Sequence, residues 1–330
     1  MNNGQPILQI ERLCVDFATR RGNIRVLNQI DLHLNAGEAL GIVGESGCGK
    51  SMTALAVMRL IASPPGRIAS GRILLRGQNL VELSEKQMRD VRGNEISMIF
   101  QEPMTALNPV FKVGTQIAEN IQRHQGVSKS AAMQQALEMM RAVRIPAAKR
   151  RIRQYPHELS GGMRQRVMIA MALSCEPSIL IADEPTTALD VTVQAQIFDL
   201  LRDIQQTRGT SIILITHDMG VIAEVAQRVA VMYAGHKVEE GPVKQIIGHP
   251  RHPYTRGLLQ CAPYIKTNPG PVREALAEIP GFVPHLSLLD GKCPFRPRCP
   301  QVQPQCREKM PDEVEVGEGH YAVCWAAGDK

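Results

Sequence analysis

The sequence predicts an α/β fold, and three of its segments support that prediction. A short apolar run over residues 39–43 is followed at once by a glycine-rich segment, residues 44–51, and then by a helical pattern over residues 52–61. A second apolar run, residues 178–182, ends in two acids, as buried strands of a parallel sheet do at the edge where ligands gather. Residues 7–34 alternate and are rich in Val, Ile and Leu, which predicts antiparallel strands.

The glycine-rich segment fits the phosphate-binding pattern G-x-x-x-x-G-K-[ST]. Its glycines let the backbone curl so that N–H groups point inward at the positive end of the following helix. Lys50 is then expected to reach the β- and γ-phosphates of a nucleotide, and the Ser51 hydroxyl to bind Mg²⁺. Cys48 is expected to be only a small filler. The residues predicted to bind the nucleotide here are Gly44, Glu45, Ser46, Gly47, Cys48, Gly49, Lys50, Ser51 and Met52.

The acids that end the second apolar run are Asp183 and Glu184. Asp183 is predicted to hold Mg²⁺, directly or through water, and Glu184 to polarise an attacking water molecule. An acidic pair alone would be an ordinary end to a strand. The phosphate loop in the same chain favours the catalytic interpretation.

Residues 159–162, Leu-Ser-Gly-Gly, distinguish this chain from other phosphate-loop proteins. They are similar to the signature sequence of the ATP-binding subunits of ABC transporters, and the chain resembles that family over about its first 240 residues. Ser160 is predicted to cap a helix over residues 163–173. The resemblance implies that Ser160, Gly161 and Gly162 bind the γ-phosphate of the ATP held by the opposite subunit. Met163 departs from the family, which most often has Gln there.

The resemblance assigns further residues one by one. Gln101 matches the glutamine that touches Mg²⁺ and the attacking water, and His217, after a strand over residues 212–216, matches the histidine that contacts the γ-phosphate. Residues 188–190 match the loop that crosses the dimer interface. Phe17 lies where an aromatic side chain stacks on adenine, although a core phenylalanine fits that position equally well.

A chain with one phosphate loop and one signature contains two half-sites. The resemblance therefore implies a second ATP-binding subunit, related but not identical, and ATP that joins the two until hydrolysis releases them. This closure and opening would drive a membrane component through alternating states. The other implied partners are two transmembrane permease subunits and an extracytoplasmic substrate-binding protein.

Composition agrees with a peripheral subunit. The 330 residues are 44% hydrophobic, which is ample for a large α/β core. No run approaches the ~18 consecutive apolar residues of a membrane helix, and residues 1–4 lack the features of a signal peptide. A net charge of +6 does not call for a nucleic-acid partner. We expect a soluble chain on the cytoplasmic face of a bacterial inner membrane.

Pattern shifts predict the domain organisation. Residues 1–240 are predicted to form one ATP-binding domain of ABC type, with an antiparallel β subdomain and a helical subdomain at about 102–175 that carries the signature. Within it, Ser128 is predicted to cap a helix. A further helix is predicted over residues 191–207. Residues 241–330, which hold 13 of the 22 prolines, are predicted to be an appended module.

The start of this module narrows the family. Residues 251–259 resemble the segment that marks the oligopeptide and dipeptide branch of ABC importers. The resemblance implies an ATPase that powers peptide import, and the same branch also carries nickel, glutathione or sugars. The alternative of another class is a soluble ABC-type ATPase acting on nucleic acid or ribosomes, whose usual long coiled coils or duplicated units are not seen here.

Four of the eight cysteines, Cys293, Cys299, Cys306 and Cys324, lie in the last 38 residues. A reducing cytoplasm argues against disulfides, and the spacing leaves zinc, an iron-sulfur cluster and unliganded thiols open. Peptide importer ATPases of this type bind a [4Fe-4S] cluster through a C-terminal cysteine set, which these four match.

The predicted cluster is structural, and nothing in the sequence places it near the phosphate site. Arg296 and Arg298 would offset its negative charge. Cys14, Cys175 and Cys261 are expected to be small buried residues.

Overall fold

The structure, a computed structural model, describes residues 6–20, 22–101, 106–186, 190–261 and 278–327. Its described strands form two sheets. A four-stranded antiparallel sheet has the order β2-β1-β4-β5, and an eight-stranded sheet has the order β11-β12-β10-β9-β3-β8-β7-β6. The strands are β1 (Leu8–Thr19), β2 (Gly22–Leu34), β3 (Ala39–Val43), β4 (Gly66–Leu75), β5 (Gln78–Asn79), β6 (Ile96–Ile99), β7 (Ile179–Asp183), β8 (Ser211–Ile215), β9 (Arg228–Tyr233), β10 (His236–Pro242), β11 (Val314–Gly317) and β12 (His320–Ala322).

The larger sheet is parallel through its centre. Strands β9, β3, β8, β7 and β6 run in one direction, and β10 turns back against β9. Residues of β7 alternate between two apolar clusters: Ile179 and Ile181 face the antiparallel sheet, while Leu180 and Ala182 face the helices. Burial on both faces explains why these strands are apolar throughout.

The described helices lie on both faces of the larger sheet. They are α1 (Lys50–Val57), α2 (Glu85–Val91), α3 (Val113–Gln125), α4 (Lys129–Ala142), α5 (Ala148–Arg151), α6 (Gly161–Leu173), α7 (Val191–Arg208), α8 (Met219–Val225), α9 (Val243–Gly248) and α10 (Pro253–Cys261), with short 3₁₀ turns at Leu80–Glu82, Pro156–Glu158, Leu286–Leu288 and Pro304–Arg307. α1 and α2 pack in the cluster under the antiparallel sheet, and the helices from α3 to α10 pack in the cluster on the other face.

One helix cap in this part of the chain agrees with the prediction from the sequence, and the bounds of one helix do not. Ser128 accepts a hydrogen bond from the backbone N–H of Ala131 at 3.3 Å, as predicted. The helix expected over residues 52–61 begins earlier, at Lys50, and ends at Val57. It ends there because Arg59 adopts a left-handed φ of 49°, and the N–H of Leu60 then bonds to the carbonyl of Leu55 at 2.8 Å.

The C-terminal region is built into the larger sheet. β12 pairs with β10, and β11 pairs with β12, so that this region supplies the outer edge of the sheet. Phe295 is 2% exposed and packs in the same cluster as the helices, together with Cys293 and Cys306. The region predicted as an appended module therefore shares its buried aromatic residue with the main core.

Glu239 of β10 anchors this region although it is fully buried. Its carboxylate accepts hydrogen bonds from the N–H groups of Arg251 (2.6 Å) and His252 (3.0 Å) and from Nε2 of His320 (2.7 Å). Burial would raise the pKa of Glu239, but the bonds from His320, Arg251 and His252 outweigh it and lower the pKa. The carboxylate thus stays ionised and joins β10, β12 and the start of α10.

No helix in the described ranges has the length and apolar character needed to cross a bilayer.

The free energy of unfolding should fall as pH drops from about 6.5 to about 4, because of His252 beside the Glu239 anchor. Burial lowers the pKa of His252 to about 4; the charge of Glu239 raises it and that of Arg256 lowers it further. The unfolded chain takes up a proton on His252 below about 6.5, whereas the folded chain does not until about pH 4, so stability present above 6.5 is lost across this window. The loss is at most about 3 kcal/mol.

Chemical denaturation of the wild type and of His252→Asn, at several pH values, checks this. The Asn oxygen can still accept the bond that the N–H of Tyr254 donates to His252 Nδ1 at 3.0 Å. We expect the variant to lose less stability between pH 7 and pH 4.5. Parallel profiles for the two proteins would contradict the prediction.

Candidate functional site

The glycine-rich loop follows β3 and leads directly into α1. Gly44, Gly47 and Gly49 have φ angles of 151°, 77° and 108°, which side chains rarely adopt. At Gly44 an added Cβ would also overlap the carbonyl oxygen of Met232 and lie 2.7 Å from Cys48 Sγ. The loop therefore packs tightly against β9, and Cys48, 1% exposed, fills that contact as expected.

Lys50 lies inside this loop. Its Nζ is held by the carbonyl oxygens of Gly44 at 2.8 Å and Glu45 at 3.1 Å, and the residue is 5% exposed. Ser46 is exposed at the tip of the loop, whereas Met52 packs with the apolar cluster beneath. The loop thus presents backbone N–H groups and one ammonium group, which is the chemistry that phosphate oxygens require.

Ser51 and Asp183 meet beside the loop. Ser51 Oγ donates to Asp183 Oδ1 at 3.0 Å, across the gap between the start of α1 and the end of β7. Asp183 is 4% exposed; burial and the neighbouring Glu184 raise its pKa, while the Ser51 bond and Lys50 oppose the rise. A hydroxyl and a carboxylate at one point are hard oxygen ligands, so they fit Mg²⁺.

Glu184 receives two side chains from neighbouring strand ends. Its Oε2 accepts from Gln101 Nε2 at 2.9 Å, and its Oε1 lies 3.5 Å from His217 Nδ1. Its backbone φ is 44°, a strained value for a residue that is not glycine, and its N–H bonds to the carbonyl of Ile215. The structure thus brings together Gln101, Asp183 and Glu184, which the sequence predicted for the metal and the water, with His217, which it predicted for the γ-phosphate.

The signature segment lies apart from this cluster. Ser160 Oγ accepts from the N–H of Met163 at 3.4 Å and caps α6, as predicted. Ser160 and Gly161 are exposed, and Gly162 is half-buried beside Val193. In the described part of the chain none of these three residues forms a hydrogen bond with residues 44–51. Their role toward a nucleotide stays a prediction.

The structure bears only in part on two other predictions, those for residues 188–190 and for Phe17. Ala188 and Leu189 lie outside the described residues; Asp190 caps α7 by accepting from the N–H of Val193 at 2.9 Å. Phe17 is half-buried, and an added Cβ on Gly66 would lie 2.9 Å from its ring. That is the packing expected of the core alternative, and stacking on adenine stays a prediction.

Sequence reasoning missed two residues that touch the loop. Arg298 donates to both carboxylate oxygens of Glu45, at 2.7 and 3.0 Å, and the N–H of Glu45 donates to Tyr254 Oη at 2.8 Å. The C-terminal region therefore contacts the phosphate loop, which nothing in the sequence indicated. Arg298 is committed to Glu45 rather than to the cysteines, and Arg296 pairs with Asp290 at 3.0 Å.

The four C-terminal cysteines are free thiols in one region. Cys293 and Cys306 are buried, and Cys299 and Cys324 are half-buried. Burial raises the pKa of Cys293 to about 11, and the neighbouring Cys306 and Cys324 add to the rise. Within the ranges the structure describes, no three His, Cys, Asp or Glu side chains are close enough to hold a metal ion. As placed, the thiols do not form a ligand set for a metal centre.

Cys14 and Cys175 are buried as expected, whereas Cys261 is only half-buried.

Comparison with known proteins gives two family matches. Residues 27–187 match the family described as ABC transporter, and residues 238–306 match the C-terminal region of oligopeptide/dipeptide transporters. A probable peptide ABC transporter ATP-binding protein, y4tR of Sinorhizobium fredii, is 51% identical over 98% of this chain and 96% of its own length. The oligopeptide transport ATP-binding protein OppD of Bacillus subtilis is 50% identical over 97% of this chain and 88% of its own length.

Solved structures of similar fold include the dimeric MJ0796 ABC transporter cassette, with a TM-score of 0.65 and 26% identity over 72% of this chain and 98% of that chain. The same cassette in a post-hydrolysis state, bound to ADP and Pi, gives a TM-score of 0.65 and 25% identity with the same coverage. CbiO1 from Clostridium perfringens gives a TM-score of 0.62 and 26% identity, over 74% of this chain and 92% of that chain. These similarities confirm the fold class predicted from the sequence.

Replacing Gly44 by Ala should destabilise the protein far more than replacing Gly47 by Ala. Both residues have positive φ, but a Cβ on Gly44 would overlap the Met232 carbonyl of a central strand, whereas a Cβ on Gly47 meets nothing within 4 Å. We expect losses of about 3 kcal/mol or more for Gly44→Ala and about 1 kcal/mol for Gly47→Ala. Denaturant unfolding measures both. Equal losses would show that the contact with β9 is unimportant.

Proposed function

The chain belongs to the ABC transporter family, in its oligopeptide and dipeptide branch, and from that premise we propose that it powers the import of di- and oligopeptides. It is an ATPase of that family. One observation supports the proposed chemistry best: the Ser51–Asp183 pair and the Glu184 carboxylate, with Gln101 and His217 against it, meet beside the phosphate loop. The names of the relatives favour peptides over nickel, glutathione or sugars as cargo.

We propose that the loop binds the triphosphate. The backbone N–H groups of residues 44–51 would receive phosphate oxygens, and Lys50 would exchange its carbonyl partners for them. Ser51, Asp183 and Gln101 would hold Mg²⁺, which neutralises phosphate charge when bound. Phe17 would stack on adenine.

Glu184 is proposed to accept the proton of the attacking water. Gln101 and His217 fix its two carboxylate oxygens in different directions, so the group is oriented before any substrate arrives. His217, whose side chain is 73% exposed, remains accessible to the γ-phosphate.

The complete site is proposed to need a second subunit, related but not identical to this chain. Ser160, Gly161 and Gly162 form the N-terminus of α6, and such a terminus suits the binding of an anion held by a partner subunit. The similar MJ0796 cassettes are dimeric. The further proposed partners are two transmembrane permeases and an extracytoplasmic substrate-binding protein, with this chain on the cytoplasmic face of the inner membrane. Nucleic acid has no place in this assembly.

The proposed domain boundaries are unchanged in outline. Residues 1–240 would form the ATP-binding unit, with the helical subdomain at about 102–175, and residues 241–330 the extension. The boundary at 240 falls inside β10, and the C-terminal family match begins at residue 238. The boundary therefore divides β10, and the extension would contact the ATP-binding unit through the pairing of β12 with β10.

Glu184→Gln should keep ATP binding and abolish turnover. The amide can retain a contact with Gln101 or His217 but cannot take a proton, so the hydrolysis rate in the assembled transporter should fall about 10²-fold or more. Phosphate release and ATP binding are measured on the same preparation. Glu138→Gln, at an exposed carboxylate on α4 that contacts Gln134, is the control and should hydrolyse ATP normally. Normal turnover by Glu184→Gln would refute its assignment.

We further propose that Cys293, Cys299, Cys306 and Cys324 bind a structural [4Fe-4S] cluster, with zinc as the alternative. The support is that the four cysteines lie close together in the sequence and that the pKa values of Cys293, Cys299 and Cys324 are each raised by a neighbouring cysteine of the set, in addition to the effect of burial. Binding would require the four thiols to move closer together. Protein purified without oxygen should then absorb broadly near about 400 nm. Cys299→Ser should remove the absorption, and Cys175→Ser, at a buried cysteine of the helical region, should not. Colourless protein with stoichiometric zinc would refute iron, and metal-free protein would refute both.

A further inference from the structure

The C-terminal region reaches the phosphate loop through one buried arginine. The Arg298 side chain is 3% exposed, and its Nη1 and Nη2 form the paired bonds to the Glu45 carboxylate described above. Its Nε donates to the carbonyl of Pro280 at 2.9 Å, and Nη2 also donates to that of Ile279 at 3.1 Å. The guanidinium is therefore fixed from its own side before it meets Glu45. Such a planar, two-point pair is specific in geometry.

A second contact holds the backbone of Glu45. Tyr254 is completely buried and accepts the N–H of Glu45 at its hydroxyl. Its ring packs on Tyr233, with centroids 4.6 Å apart, and on Phe295 at 5.4 Å. Because Tyr233 ends β9 and Phe295 lies between Cys293 and Arg298, the aromatic cluster joins the core sheet to the cysteine-bearing loop.

Glu45 is thus held at three points. Arg298 binds its side chain, Tyr254 binds its N–H, and its carbonyl accepts from Lys50 Nζ. Two of the three contacts come from outside residues 27–187, which match the ABC transporter family. The position of the first residue after Gly44 is therefore set largely by the C-terminal region.

The charge of Glu45 gives this arrangement an electrostatic consequence. A carboxylate in a loop that collects N–H groups and a lysine opposes the binding of any anion there. Glu45 is 29% exposed in its side chain, so solvent screens it only in part. Arg298 neutralises it in place. Without Arg298 the loop would carry an unpaired negative charge.

We propose that Arg298 is a positioning residue for nucleotide binding: it neutralises Glu45 and, with Tyr254, fixes the phosphate loop, so that the cysteine-bearing region sets the affinity for ATP. This inference rests on the proposed function, because it assumes that the loop binds ATP. It assigns the C-terminal region a direct role at the site. It also means that Arg298 has this role only where position 45 is an acid, since otherwise there is no charge to neutralise.

ATP affinity of the full chain tests the proposal through four proteins. Arg298→Gln should weaken ATP binding about tenfold, since it leaves Glu45 charged and unpaired. The double variant Arg298→Gln with Glu45→Gln should recover most of the loss, to within about threefold of the wild type, because the unpaired charge is gone. Arg296→Gln is the matched control, two positions away in the same loop and paired with Asp290 instead; it should bind ATP as the wild type does.

The rescue separates positioning from simple structural support. If Arg298 only held the C-terminal region in place, Glu45→Gln could not restore affinity in the double variant, and that result would overturn the proposal. Steady-state hydrolysis by the assembled transporter gives an independent readout: KM for ATP should rise in Arg298→Gln while kcat at saturating ATP stays within about twofold. A fall in kcat with unchanged KM would overturn the proposal as well.

Failure of the two proposals would look different. A wild type that does not bind ATP would refute the proposed function and this inference with it. A wild type that binds ATP, with Arg298→Gln binding equally well, would refute the inference alone.

Discussion

The carboxyl ends of β3, β6, β7 and β8 meet at one edge of the larger sheet, and each candidate catalytic group depends on that meeting. These strands are buried on both faces, so they carry apolar residues until they end. Polar side chains can begin only where burial stops, which places the phosphate loop, Gln101, Asp183 with Glu184, and His217 side by side. Residues more than 100 positions apart thereby come within hydrogen-bond distance.

The same edge explains how the C-terminal region can reach the site. β9 lies next to β3 and ends at Tyr233, so the aromatic cluster built on Tyr233 lies beside the start of the phosphate loop. β10 turns back from this point and carries Glu239. The buried carboxylate of Glu239 accepts hydrogen bonds from residues at the start of α10 and from β12. One buried acid therefore fixes the segment that bears Tyr254. The extension is held by the core sheet and in turn holds the loop.

Local signals predicted much of this fold and of the site. The phosphate loop lies between β3 and α1 as its motif requires, and Ser128 and Ser160 cap helices because a cap depends on residues three apart. The end of α1 escaped prediction because Arg59 adopts a left-handed conformation that glycine normally marks. β11 and β12 escaped because strands of four and three residues carry too little alternation to detect.

The pairing of Arg298 with Glu45 could not be predicted from the sequence, since 253 positions separate them and neither residue belongs to a motif that demands the other. The pair shows that the cysteine loop contacts the phosphate loop. Arg298 lies between Cys293 and Cys299, and its guanidinium is fixed by the carbonyls of Ile279 and Pro280. Any ligand that draws the four thiols together must act on the backbone that carries Arg298. Because Arg298 and Tyr254 both contact Glu45, the thiol region and the phosphate loop are parts of one packed unit.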